Sequence, residues 1–168
     1  MKVLGIDPGY GRCGMAIIER ENGNDFLRDS RCVETSPQQN FPERLAEIID
    51  TCRKMIEGHS PHSFAIEKLY FNTNQKTAMQ VAEVRGALIS CAAESGLSVH
   101  EYTPGQVKNA TSGFGRADKK QIASMLHLLI KIEKPIKHDD EYDAIAVALT
   151  HLAHARISSG VEQTEKSR

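Results

Sequence analysis

The sequence predicts a single α/β domain with a mixed, five-stranded sheet flanked by helices. Three β-rich stretches, at residues 2–6, 13–19 and 26–35, are separated only by short turns, which indicates antiparallel neighbours. After residue 40, helical and strand patterns alternate, which is typical of strands joined by helices that cover the sheet. A chain of 168 residues is long enough to bury one substantial core.

The first three strands form an antiparallel meander. The strand at 2–6 is followed by a turn at 8–11, and the strand at 13–19 pairs back on it. A second turn at 21–25 leads into the strand at 26–35.

Two amphipathic or apolar helices follow on either side of a short strand at 63–67. The first helix begins near Pro42, ends at Gly58 and has one apolar stripe, formed by Leu45, Ile48, Ile49, Cys52, Met55 and Ile56. The second runs from Asn74 or Thr77 to Gly96 and has a face of small residues. That face suits either a tightly packed core or a dimer interface.

The last third predicts one strand and three helices. A strand at 97–102 leads into a short helix that carries Lys108, and a loop at 111–116 follows. Asp118 and Gln121 resemble a capping box at the start of the next helix. Asp139 or Asp140 caps the last helix, which is expected to end near residue 156. The predicted division is therefore a domain at 1–156 and a flexible tail at 157–168.

Composition favours a cytoplasmic protein. An acid at position 7 comes too early for a signal peptide, and no apolar run reaches membrane-spanning length. The four cysteines form no C-x-x-C pair, so we expect reduced thiols.

The charge is unevenly distributed along the chain. Residues 103–137 contain seven basic and two acidic residues, a local net charge of +5, whereas residues 139–143 carry −4. A basic stretch beside an acidic cluster suits a polyanion held next to a metal. Solvated faces of surface helices explain the lysines equally well.

Four carboxylates lie where apolar side chains are expected. Asp7 and Glu67 end apolar strands, and Asp140 and Asp143 open an apolar helix. A buried carboxylate is costly unless it is paired or binds a cation, and an all-oxygen set suits Mg²⁺ or Mn²⁺. Two such ions can clamp the oxygens of a phosphoryl displacement. The structural alternatives are helix caps for Asp140 and Asp143 and a turn for Asp7.

Four motifs, in order, closely resemble the RuvC family of bacterial Holliday-junction resolvases. They are GIDPG at residues 5–9 followed by Gly14, FAIE at 64–67, QVK at 106–108 and DEYDAIAVALTH at 140–151. The resemblance covers residues 1 to about 156. It implies an RNase H-like fold, a homodimer, and paired, symmetric nicks in a four-way DNA junction that leave 5′-phosphate and 3′-hydroxyl ends.

The resemblance also implies roles for individual residues. Asp7, Glu67, Asp140 and Asp143 match the catalytic acids, which are expected to hold two Mg²⁺ ions per subunit, with Mn²⁺ as a substitute. Asp140 stands where some relatives have histidine. A RuvA–RuvB branch-migration complex is the implied partner. The expected DNA-binding residues are basic or aromatic, with either aromatic ring able to stack at the junction: Lys108, Arg116, Lys119, Lys120, Tyr70 and Phe71.

Two other functions remain open from the sequence. An RNase H-fold nuclease of the RuvX or YqgF group shares a Gly-x-Asp-x-Gly start and acts on RNA. A non-catalytic junction-binding protein is the second alternative, although the presence of all four acids speaks against it.

Overall fold

The computed structural model describes the backbone of residues 1–69, 75–112 and 119–165. It contains five strands and five helices within these ranges. In chain order they are β1 (Lys2–Asp7), β2 (Arg12–Glu21), β3 (Asn24–Glu34), α1 (Phe41–His59), β4 (Ser63–Glu67), α2 (Gln75–Glu94), β5 (Ser98–Tyr102), α3 (Pro104–Ser112), α4 (Lys119–Leu129) and α5 (Asp139–Glu165).

The strands form one mixed sheet in the order β3-β2-β1-β4-β5, which confirms the predicted five-stranded architecture. β2 pairs antiparallel with both β1 and β3, whereas β4 is parallel to β1 and β5 is parallel to β4. The turn between β2 and β3 is tighter than predicted. Asn22 and Gly23 both have positive φ, 50° and 81°, as a two-residue hairpin turn of the I′ kind requires.

The sheet is covered on both faces. Leu4 and Ile6 of β1 pack into a core with α1 and α2, and Val3 packs into a second core on the opposite face with α5. Side chains alternate between the two faces along a strand, so a strand buried on both faces reads as a continuous apolar run.

Helix α1 starts as predicted and ends slightly later. Asn40 and Glu43 form a capping box, and Pro42 lies in the first turn. The helix continues through Gly58 because Ser60 provides the left-handed C-cap, with φ of 47° and its N–H donating to the Ile56 carbonyl at 2.8 Å.

Helix α5 lies directly on the sheet at two glycines. A Cβ atom at Gly5 of β1 would overlap the carbonyl oxygen of Ala144, and one at Gly14 of β2 would overlap that of Asp140. The absence of side chains at these two positions therefore lets the first turns of α5 approach the β1–β2 pair at backbone distance.

Two predictions about the chain as a whole have different outcomes. The expected end of the last helix near residue 156 is wrong, because α5 continues to Glu165. Gly160 weakens the helix without ending it as a proline would, and the residues after it include several good helix formers. The division into a domain at 1–156 and a tail at 157–168 stays a prediction.

The structure also bears on the predictions about the cysteines and about membrane-spanning segments. All four cysteines are free thiols, as expected. Within the described ranges, every helix is too short or too polar to cross a bilayer.

Candidate active site

Asp7 and Glu67 emerge at the same edge of the sheet. The parallel register pairs Ile6 of β1 with Ile66 of β4, and each acid is the next residue along its strand. Both side chains are half-buried. The parallel pairing therefore brings together two acids that are 60 positions apart in the chain.

The N-terminus of α5 is held at this edge by Gly14. Gly14 is the pairing partner of Asp7, and its Cα faces the backbone of Asp140 so closely that no Cβ fits between them. Gly14 of β2 thus lies between two acids: it pairs with Asp7 of β1 and contacts the backbone of Asp140 at the start of α5. The positive end of the helix dipole faces the acids and favours negative charge there.

Glu67 is electrostatically coupled to Asp143 and Lys108. Burial, followed by the nearby Asp143, raises the pKa of the Glu67 carboxyl to about 7, and Lys108 opposes part of the shift. Burial disfavours the charged form of this carboxyl group, and a cation bound beside it would stabilise that form. Glu67, Asp143 and Lys108 therefore share one local environment.

Lys108 is positioned by a capping box at the start of α3. Thr103 Oγ1 accepts the backbone N–H of Gln106 at 3.1 Å, and Gln106 Oε1 accepts the backbone N–H of Thr103 at 2.8 Å. This explains the Gln106 of the QVK motif in local terms. The helix starts directly after β5, whose last residue, Tyr102, pairs with Glu67.

Asp140 has a different environment from the other acids. Arg12 Nε lies 3.3 Å from Asp140 Oδ2, and the Cys32 thiol donates to the same oxygen at 3.9 Å. The carboxylate is thus paired with a cation that belongs to the protein. Sequence reasoning missed Arg12, since an arginine after a glycine turn has no distinctive signal.

Arg85 of α2 is a second residue that sequence reasoning missed. Its Nε donates to the backbone carbonyl of Glu67 at 3.2 Å, and its guanidinium is paired with Glu101 of β5. Arg85 therefore fixes the end of β4, where Glu67 leaves the sheet. Its position on the small-residue helix is the only available signal, because a charged residue interrupts a face that is otherwise small and apolar.

Some charges of the 103–143 segment are structural. Glu141 is buried and accepts the Ser30 hydroxyl at 2.6 Å, and Lys134 Nζ lies 3.5 Å from Glu141. Lys131 pairs with Glu133 at 3.0 Å. Lys131 and Lys134 lie between α4 and α5 rather than on a helix face, and both are held in ion pairs of the fold, whereas Lys108 lies at the carboxylate site.

The remaining predicted DNA-binding residues cannot be placed in the same way. Tyr70, Phe71 and Arg116 lie outside the described residues, and Lys119 and Lys120 are described only as backbone in the first turn of α4.

The donor set of the carboxylate site fits a hard divalent cation. The four acids offer only oxygen atoms, which Mg²⁺ and Mn²⁺ prefer. Two of them are the half-buried Asp7 and Glu67 at strand ends, and the other two lie at the start of α5. Their oxygens are not drawn into one tight cluster: among the described residues, the three-membered group with donor atoms within 4.8 Å of one another is Cys32, Glu34 and His138.

Comparison with known proteins identifies relatives along nearly the whole chain. Residues 3–151 match the family model of the crossover junction endodeoxyribonuclease RuvC. A relative of that name from Petrotoga mobilis is 44% identical over 151 residues, which cover 90% of this chain and 93% of the relative.

Solved structures show the same architecture. The structure of RuvC from T. thermophilus in complex with a Holliday junction substrate superposes with a TM-score of 0.87 at 31% identity, over 94% of this chain and 96% of that one. The yeast mitochondrial Holliday junction resolvase has a TM-score of 0.66 at 16% identity, over 88% and 76% of the two chains, and shares the fold. The predicted RNase H-like fold is thereby confirmed.

Proposed function

The chain belongs to the RuvC family of crossover junction endodeoxyribonucleases, and we propose from this that it resolves four-way DNA junctions by metal-dependent nicks in two opposed strands. The observation that carries the proposal is the meeting of Asp7 and Glu67 at one sheet edge, with the acidic start of α5 packed beside them. The family match disfavours both an RNA-directed nuclease and a non-catalytic junction-binding protein.

The four acids would hold the metal ions and the chain's other groups would position the DNA. Two Mg²⁺ ions, with Mn²⁺ as a substitute, would supply Lewis-acid activation of the attacking water and neutralise charge at the departing 3′ oxygen. Asp7 would be the central acid in holding the ions, because its strand lies in the middle of the sheet between those of Gly14 and Glu67. The expected products are a 5′-phosphate and a 3′-hydroxyl.

Basic and aromatic residues would bind the junction around this site. Lys108, next to Glu67, would hold a backbone phosphate by charge without reading sequence. Arg116, Lys119 and Lys120 are proposed for neighbouring phosphates. Tyr70 and Phe71 come three and four positions after Glu67, the last residue of β4, so either ring is close in sequence to the acid and is proposed to stack at the junction centre.

A homodimer would place one active site on each of two equivalent strands. The outer side of α2 is the proposed interface: Met79 is 73% exposed, and Gly86 has open space where a side chain would stand. A RuvA–RuvB complex is proposed as the branch-migration partner, acting with this protein in the cytoplasm.

The test is cleavage of a synthetic, mobile four-way junction with the nicks mapped on all four strands. We expect Mg²⁺-dependent cuts at equivalent phosphates of two opposed strands, and no cuts in EDTA. Asp7→Asn is expected to bind the junction nearly as well as the wild type and to leave it uncut, because the amide keeps the shape and removes the charge.

Asp50→Asn is the matched control for that substitution. Asp50 lies on the exposed side of α1 in an ion pair with Lys54, so we expect wild-type cleavage. Full cleavage by Asp7→Asn, or cleavage by the wild type in EDTA, would contradict the assignment of the carboxylate site.

A further inference from the structure

We propose that Cys32, Glu34 and His138 form a second metal site, for Zn²⁺ or a similar thiol-binding divalent cation, beside the carboxylate site. The three residues offer one sulfur, one oxygen and one nitrogen atom that all lie within 4.8 Å of one another. Asp7, Glu67 and Asp143 contribute nothing to this group. The fourth acid proposed for Mg²⁺, Asp140, is not one of its three donors and touches it through the Cys32 thiol.

The fold brings these side chains together from two elements. Cys32 and Glu34 are two residues apart on β3, so their side chains point to the same face of this edge strand. His138 directly precedes α5, whose start lies over β2 at Gly14, the pairing partner of Cys32. The close approach of α5 to the sheet therefore also carries His138 to β3.

The present contacts leave the donor atoms turned toward one another. His138 Nδ1 lies 3.2 Å from Glu34 Oε1, and Cys32 Sγ faces Asp140 Oδ2 at 3.9 Å. The Glu34 side chain is 56% exposed and that of His138 is 30% exposed, so an ion can reach both from solvent. Cys32 is half-buried behind them.

The types of donor atom select the class of metal. Thiolate and imidazole are ligands of Zn²⁺ and related transition metals, whereas Mg²⁺ takes oxygen ligands. Three protein ligands with a water in the fourth position make an open tetrahedral site. Binding would replace the thiol proton of Cys32, which passes to solvent, and the bound set of Zn²⁺, thiolate, carboxylate and neutral imidazole carries no net charge.

Occupation of the site would change what surrounds Asp140. The Cys32 thiol would no longer donate to the Asp140 carboxylate, and Arg12 would remain as its partner. The ion would also tie β3 to the segment before α5. Zn²⁺ at this site would therefore change the contacts that orient the Asp140 carboxylate, and it would not take the place of Mg²⁺.

The experiment uses Co²⁺ as a spectroscopic probe of the full chain in a non-thiol reductant, with excess Mg²⁺ present to occupy oxygen-only sites. We expect a thiolate-to-cobalt charge-transfer band that saturates at a single ion per chain and disappears on addition of Zn²⁺. Cys32→Ser should abolish the band. Glu34→Gln and His138→Gln should each weaken Co²⁺ binding by about tenfold or more. Loss of a residue that only hydrogen-bonds to a metal ligand already lowers metal affinity by about tenfold, and these two residues are proposed as ligands themselves.

Two variants serve as matched controls. Cys91→Ser removes a different thiol, in the core on the other face of the sheet, and should leave the band intact. Asp7→Asn alters the carboxylate site and should also keep it. Glu34→Gln changes an exposed side chain, so its circular dichroism should match that of the wild type and separate metal loss from unfolding.

The proposal is overturned if the wild type shows no such band. It is also overturned if the band survives Cys32→Ser, if Cys91→Ser abolishes it in a folded protein, or if it requires Asp7.

Discussion

At the scale of single residues, the four acids differ in what neutralises them. Glu67 is half-buried, and its pKa is raised to about 7 by burial and then by Asp143, so its charge depends on a cation. Asp140 already has Arg12 beside it at 3.3 Å. This difference gives a physical reason for expecting Asp140 and Glu67 to play different parts at the site.

Gly14 matters because two backbones meet at it. In Gly14→Ala, the new Cβ would overlap the Asp140 carbonyl, and since backbone atoms cannot rotate away, α5 must shift. Overpacking of this kind costs roughly 1–3 kcal/mol, so we expect that loss in urea unfolding together with a large fall in junction cleavage.

Gly58→Ala is the opposite case and the control. Gly58 lies within α1 and a Cβ there meets nothing within 4 Å, so alanine should stabilise the protein by up to about 1 kcal/mol. Equal effects of the two substitutions on stability would show that α5 does not rest on Gly14.

At the scale of elements, short local signals place α3 and its lysine. The capping box of Thr103 and Gln106 starts the helix immediately after β5, and Lys108 follows within its first two turns. The position of Lys108 beside Glu67 thus depends on the parallel pairing of β4 and β5 as much as on α3 itself.

Lys108→Gln tests whether this lysine contacts a phosphate. Removing one phosphate contact should weaken junction binding for every sequence alike and reduce the slope of log K against log salt by about 1. Cleavage should fall as well. The measurement is junction binding in EDTA at several salt concentrations.

Lys54→Gln is the matched control, because Lys54 lies exposed on α1 in an ion pair with Asp50. It should leave the salt slope unchanged. An unchanged salt slope for Lys108→Gln would mean that Lys108 interacts with the acids of the site and does not contact a DNA phosphate.

At the scale of the whole molecule, His151 joins α5 to the parallel strands. Its Nε2 is hydrogen-bonded to Ser63 Oγ at 2.9 Å and its Nδ1 to Tyr102 Oη at 2.8 Å. Burial, followed by the nearby His100 and His154, lowers the pKa of His151 to about 4. The folded protein therefore holds this imidazole neutral.

Stability should consequently fall as the pH drops from about 6.5 to about 4. Over that range the unfolded chain binds a proton at this histidine and the folded chain does not, which amounts to about 3 kcal/mol for such a difference in pKa. Urea unfolding at several pH values measures it, and His151→Gln should show a clearly smaller fall.

His127→Gln provides the comparison, since His127 is exposed on α4. It should retain the full pH dependence. A His151→Gln profile parallel to that of the wild type would mean that other groups cause the fall.

Helices α1 and α5 differ in how well the sequence predicts where they begin and end. The stripe, proline and capping pattern of α1 are local, and the helix forms with its start where these signals place it. For α5 the start is local as well, but the prediction of an end near residue 156 is wrong, because the helix continues through Gly160 to Glu165. Arg12, Arg85 and the role of Glu141 were not predicted, since each depends on a partner distant in the chain.

The sequence by itself determined the order of the strands and helices, the four acids at element ends and the motifs that mark the family. Only the tertiary structure decided that Ile6 pairs with Ile66, that α5 rests on Gly5 and Gly14, and that His138 reaches β3. The physical reason is the range of the interactions. Periodicity and caps act over a few residues, whereas strand register and close backbone packing join residues that lie far apart in the chain.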